Sequence, residues 1–232
     1  MNQDTKKKFD NILNKARNLS KLGVRGLFLP RQITSSLFRE NTSIDIANLN
    51  MNEVATIVDE CEICALHKNR NSTVFGEGNT NANLMFIGEA PGKDEDIAGK
   101  PFVGKAGQLL DKIILAMKLH RKDIYICNVV KCRPENNRKP SSKEINSCFS
   151  FLNFQINQIN PKIIICLGAA AAEAVLDTEE KIKNLRGVFH DKFNSKIIVT
   201  YHPAALLRDP TKKKLVWEDM QMVMKEMESF EE

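Results

Sequence analysis

Leu84-Met85-Phe86-Ile87-Gly88-Glu89-Ala90-Pro91-Gly92 is the stretch from which the fold can be read. Four apolar residues in a row, without polar alternation, suit a strand buried on both faces of a parallel sheet. The run enters Gly88–Gly107, which holds five glycines, two prolines, three consecutive acids and one aromatic, Phe102. Glycine lets backbone approach a ligand closely and proline fixes a loop's shape. Open α/β sheets put their ligands in loops at the carboxyl ends of strands. A helical pattern over Gln108 to Leu119 then carries the chain away. The competing reading is a Gly-rich surface turn with no ligand.

Further apolar runs repeat the arrangement. Ile124–Val130, Lys162–Leu167 and Ile197–Thr200 read as three more strands. Between them lie a basic loop, Lys131 to Lys143, and a helix that Ser141 begins with Glu144 as a capping box. Asn160-Pro161 stops that helix near Ile159, Gly168 opens an alanine-rich helix to Leu176, and an amphipathic helix spans Lys212 to Ser229. Strands alternating with helices predict a three-layer α/β/α sandwich with a mainly parallel, four-stranded central sheet. A short helix over Val54 to Glu60 and a glycine-rich turn, Phe75–Asn79, precede the first strand.

Residues 1–50 read as a separate basic extension, partly helical (Asp10 to Leu22), and 51–232 as the main domain. The 232 residues are 42% hydrophobic, enough for one good-sized core, and a net charge of +5 permits a polyanionic partner without demanding one. No run is long enough to span a membrane, and Lys6-Lys7-Lys8 leads into no apolar segment of a secretory signal. Six cysteines in such a chain suit thiols or metal ligands in a reducing, cytoplasmic compartment.

The cysteines divide. Cys127 and Cys166 sit inside apolar strands and read as core. Cys61 and Cys64 form a C-x-x-C pair, which also occurs as a redox couple, and Cys132 and Cys148 would complete a four-thiolate site. Spacing alone suits zinc or a [4Fe–4S] cluster equally, and four unrelated thiols remain the competing reading.

Gly88-Glu89-Ala90-Pro91-Gly92, Pro101-Phe102-Val103-Gly104, Lys131-Cys132-Arg133-Pro134 and His202-Pro203 occur in that order. In this combination the chain resembles the family 4 uracil-DNA glycosylases, the iron–sulfur branch of the uracil-DNA glycosylase superfamily, from Cys61 to about Trp217. The resemblance implies the uracil-DNA glycosylase fold and hydrolysis of the uracil–deoxyribose bond in single- and double-stranded DNA. It further implies an abasic product within base excision repair, and a chiefly structural [4Fe–4S] cluster on Cys61, Cys64, Cys132 and Cys148. Gly88 to Gly92 would wall the uracil pocket, with Glu89 near uracil C5 excluding thymine, and Ala90 where another branch has a catalytic Asp. Phe102 would stack on the base, Asn128 would read its N3–H and O4, and His202 would stabilise the leaving anion. Glu95 would position water, with Asp94 and Asp96 as competitors for that part.

For DNA contact the candidates are Arg133, Arg138 and Lys139 with Lys143 in one loop, and Arg208 with Lys212–Lys214 in another. Leu206 or Leu207 would fill the space left by a flipped base. Ala204 lacks the hydroxyl that a serine offers some relatives, and Asn137-Arg138-Lys139-Pro140 lacks the histidine with which a neighbouring branch traps DNA covalently. Turnover as a monomer on uracil-containing DNA is therefore expected, with replication or repair proteins as further partners. The rival reading is a non-catalytic iron–sulfur or zinc DNA-binding module attached to a replication enzyme. A thiol redox protein is the third.

Overall fold

The computed structural model describes residues 46–230, so the expected extension lies, apart from its last five residues, outside the described residues. The chain enters on a helix, α1 (Met51–Asp59), capped by Asn50, whose side chain accepts from the Asn52 and Glu53 N–H groups while Glu53 returns the capping-box bond. Val54 and Val58 of α1 are buried.

Among the described residues the sheet has six strands, β1 (Glu77–Gly78), β2 (Leu84–Gly88), β3 (Tyr125–Asn128), β4 (Ile163–Leu167), β5 (Phe189–Lys192) and β6 (Ser195–Thr200), in the order β1-β3-β2-β4-β6-β5. The four strands expected from the apolar runs, β3-β2-β4-β6, pair in parallel at the centre. The expected count of four is corrected by an antiparallel strand on each edge. β1 is two residues long, and β5 returns through Phe193 and Asn194, both with φ of 56°, into a hairpin with β6. Neither edge strand carries a continuous apolar run.

Every residue of β2, β3 and β4 is buried, because helices cover both faces. The helices after α1 are α2 (Lys93–Ala98), α3 (Lys105–Ala116), α4 (Ser142–Ile159), α5 (Ala169–Leu176), α6 (Ile182–Leu185), α7 (Pro203–Arg208) and α8 (Lys212–Glu228). The expected capping box on α4 is present: the Glu144 N–H donates to Ser141 Oγ at 3.3 Å and the Ser141 N–H to Glu144 Oε2 at 2.8 Å. Asn160, left-handed at φ 48°, ends α4 before Pro161. No helix among the described residues is long and apolar enough to cross a membrane.

The parallel register brings the carboxyl ends of the central strands to one edge. Gly88 of β2 lies directly beside Asn128 of β3, and Thr200 of β6 beside Leu167 of β4. The loops that leave this edge carry the Gly88–Gly107 segment, the basic segment after Asn128, and Tyr201-His202-Pro203.

Candidate active site

A cleft of about 550 Å³ opens at this edge, lined by residues of all three segments. The lining includes Glu89, Ala90, Pro91, Gly92, Glu95, Phe102, Asn128, Arg138, His202 and Arg208, ten of the expected site residues. Gly88 lies beneath it: a Cβ there would come within 2.3 Å of Asn128 Oδ1 and 2.5 Å of the Phe102 ring. Only a residue without a side chain lets these two groups share one pocket floor.

Asn128 is 1% exposed, and its side-chain oxygen has no hydrogen-bond partner. An unpaired buried acceptor is expensive unless something supplies the missing donor. Phe102 stands beside it, its ring 5.5 Å from that of His202 at a 31° tilt. Phe102 itself sits at φ 53°, a conformation unfavourable for a bulky side chain. Arg121 holds it there. The guanidinium donates to the Phe102 and Pro101 carbonyls and pairs with Glu77 and Asp111 at 2.5 and 2.7 Å. No motif marks Arg121 in the sequence, because its part is to bond main-chain oxygens twenty residues away.

Gly107 closes the other side of this clamp, since a Cβ there would fall 1.8 Å from the Phe102 carbonyl oxygen. Gly107→Ala is therefore expected to displace Phe102 and cost about 1–3 kcal/mol of stability. Chemical denaturation measures it, and a stability equal to the parent's would contradict the packing described.

His202 caps α7, its Nδ1 accepting from the Ala204 N–H at 3.1 Å. The ring proton therefore belongs on Nε2. Burial, aided by the positive charge of Arg208, pulls the imidazole down to about 4, against the weaker opposing pull of Glu95.

Of the three acids, the structure separates the parts. Asp96 is fully buried and bonded to the Asn71 N–H, the Asn71 amide and the Ser72 N–H. It faces away from the cleft and leaves the competition for water. Asp94, exposed in the first turn of α2, also lines the cleft. Glu95 lines the cleft and accepts from the N–H groups of Gly92, Val103 and Gly104 at 3.1, 2.9 and 2.8 Å. It thereby ties the two sides of the loop together. The segment read as one loop therefore contains a short helix, α2, which the sequence reading missed although a run of acids is a known signal of a helix N-terminus. Glu89 also lines the cleft, where burial raises its carboxyl above the usual range against the pull of Lys139.

The basic residues are less uniform than their sequence suggests. Arg138 grips Glu144 with both guanidinium ends at 2.8 and 2.7 Å, which holds that carboxyl down at about 2. Lys139 pairs with Glu173 at 2.8 Å across an exposed surface, and the Arg133 Nε donates to Asn137 Oδ1. Of the two leucines expected at the gap in DNA, Leu206 is 2% exposed and packs in the core, whereas Leu207 is 49% exposed.

Cys61, Cys64, Cys132 and Cys148 line one small cavity beside α1 and α4. Arg70 also lines it, donating to the Cys61 carbonyl at 2.7 Å, to Cys132 Sγ at 3.3 Å and to the Asp59 carbonyl at 2.9 Å. Burial pushes the Cys61 thiol up to about 11 and the Cys148 thiol up to about 12. Cys127 and Cys166 are fully buried in the sheet, as expected. Among the described residues no three His, Cys, Asp or Glu side chains meet at the spacing of a single metal ion.

The cleft lies at the carboxyl edge of a parallel sheet, with an unpaired amide oxygen beside an aromatic ring, and residues 75–221 match the family model described as the uracil DNA glycosylase superfamily. The chain is 43% identical over 175 residues to a type-4 uracil-DNA glycosylase of Thermotoga maritima, covering 74% of this chain and 91% of the relative. It is 44% identical over 189 residues to one of Saccharolobus solfataricus, covering 78% and 88%. A type-5 uracil-DNA glycosylase of Pyrobaculum aerophilum is 29% identical over 148 residues, 56% of this chain and 64% of that one. The chain belongs to the type-4 uracil-DNA glycosylases of this superfamily.

Proposed function

We infer that the protein is a monofunctional uracil-DNA glycosylase of DNA repair, hydrolysing the bond between uracil N1 and deoxyribose C1′ in single- and double-stranded DNA. The observation that carries this reading is the unpartnered, buried Oδ1 of Asn128 beside Phe102. A flipped uracil stacks on Phe102 and supplies what Asn128 lacks: its N3–H donates to Oδ1, and its O4 accepts from the side-chain amide. Cytosine presents the opposite polarity at both positions and leaves both amide groups opposed. Glu89 bounds the cleft where a methyl on C5 would lie.

As the bond breaks, the sugar gains positive charge and the base leaves as an anion. His202, neutral and protonated on Nε2, donates to the anionic O2 without needing a proton from solvent. Glu95 orients the attacking water and offsets charge on the sugar, while its three main-chain bonds keep the loop in shape. Arg133, Arg138, Lys139 and Arg208 attract phosphates, and Leu207 fills the gap left by the base. No amine nucleophile is called on, so the strand stays intact. A non-catalytic DNA-binding module has no use for a base pocket of this kind.

The four cysteines fit a [4Fe–4S] cluster. A cluster takes one thiolate per iron, and all four cysteines line this one cavity. Bound there, iron would keep the thiols deprotonated and pin α1, the loop after β3 and α4 to one another.

The test is an oligonucleotide with one uracil, incubated with iron-bearing protein and then split into samples with and without hot alkali. A break that appears only after alkali is expected. No break after alkali would overturn the glycosylase reading, and a break without it would overturn the monofunctional one.

A further inference from the structure

Lys131 stands three residues after Asn128 and one before Cys132, and it is 1% exposed. Its Nζ donates to the Asn128 main-chain oxygen at 2.7 Å and to Gln155 Oε1 at 2.5 Å, and lies 5.9 Å from the centre of the Phe75 ring. Gln155 is fully buried as well, and its amide nitrogen donates to the Phe75 carbonyl at 2.8 Å and the Tyr125 hydroxyl at 3.1 Å. Those two bonds fix which end of the amide faces Lys131. The Lys131 main-chain N–H points the other way, to Cys148 Sγ at 3.4 Å.

No carboxylate among the described residues lies within ion-pairing distance of this ammonium. A buried cation with only neutral partners is costly. Cys127, the thiol in contact with this ammonium, is fully buried with its thiol pushed up and stays neutral. The cysteine centre, to one of whose sulfurs the main-chain N–H of Lys131 is bonded, instead brings negative charge when it holds a cluster. Meanwhile the Asn128 side-chain oxygen has no bond to hold its aim. Its direction is set by the main chain, and Lys131 grips that main chain where β3 ends.

We propose that Lys131 is a positioning residue that ties base recognition to the cysteine centre. Its side chain fixes the strand end that carries Asn128, and the anionic cluster offsets its buried charge. The second half rests on the cluster reading above.

Lys131→Met keeps the length of the side chain and removes the charge and the donors. In iron-loaded protein, single-turnover release of uracil is expected to fall about 10- to 100-fold, since a displacement near 1 Å at a reacting group costs that much. Affinity for DNA stays within about twofold, because no phosphate-contacting group changes. The reduction potential of the cluster moves to a more negative value, because a nearby positive charge favours the more electron-rich state. Gln155→Leu serves as the second variant: it keeps the charge and loosens the grip, so turnover falls while the potential stays.

A role in packing alone would lower the melting temperature and leave both readouts unmoved, which overturns the proposal. So does an unmoved potential in Lys131→Met, or wild-type turnover in Gln155→Leu. If the parent protein itself carries no iron, the cluster reading falls and takes the electrostatic half with it. An iron-bearing parent with failing variants overturns Lys131 alone.

Discussion

Asn128→Asp is expected to lower uracil release by about 10²- to 10³-fold and to shrink the preference for uracil over cytosine by a similar factor. The parent side chain offers uracil one acceptor and one donor from a site with 1% exposure. An ionised carboxylate has acceptors only, so it faces uracil O4 with like polarity in a place where water cannot intervene. Buried polar groups left unpaired carry the largest discrimination that binding sites achieve, on the order of 10⁴. When protonated, the carboxyl donates through one oxygen and accepts through the other, a pattern cytosine can match. Parallel rate measurements on uracil and cytosine oligonucleotides decide it. Unchanged selectivity would remove Asn128 from the recognition described.

His202→Ala is the second large effect. It removes the Nε2–H donor to the leaving base, and loss of one preorganised donor to a developing anion costs about 10²- to 10³-fold in turnover. DNA affinity should barely change. The pH dependence is distinctive: with its imidazole pulled down to about 4, His202 stays neutral throughout the neutral range. Between that value and about 6.5, the ordinary value, the unfolded chain binds a proton here that the folded chain does not. This residue's contribution to stability is therefore complete above about pH 6.5 and is lost as the pH falls toward 4. Denaturation of parent and variant at pH 5 and pH 7.5 checks the sign, since the parent should lose more stability than His202→Ala on acidification. Equal losses would contradict the burial described.

The central sheet was legible because buried parallel strands cannot hide: Leu84–Ile87 and Ile163–Leu167 are apolar throughout, and each meets water on neither face. Helix ends with chemical signatures were legible too, as at Ser141, Glu144 and Asn160. The edge strands were not. Phe189-His190-Asp191-Lys192 is only partly buried, so burial imposes no pattern on it, and a two-residue strand has no period to detect. The ten cleft residues could be named from motifs because base chemistry restricts the residue types that serve it. Arg121 lies in no motif, and Lys131, though it opens Lys131-Cys132-Arg133-Pro134, shows no role there, since both bond main-chain oxygens and any sequence offers those. Between Leu206 and Leu207 the sequence had no basis for choice. Only the turn of α7 decides which side chain enters the core.

The central claim is that this cleft selects uracil by pairing with its N3–H and O4 edge. Free base released from otherwise identical oligonucleotides carrying uracil, thymine or cytosine, measured in a single turnover by iron-bearing protein, tests it directly. The account predicts free uracil from the first and no detectable base from the other two; release of cytosine at a comparable rate, or of no base at all, would contradict it.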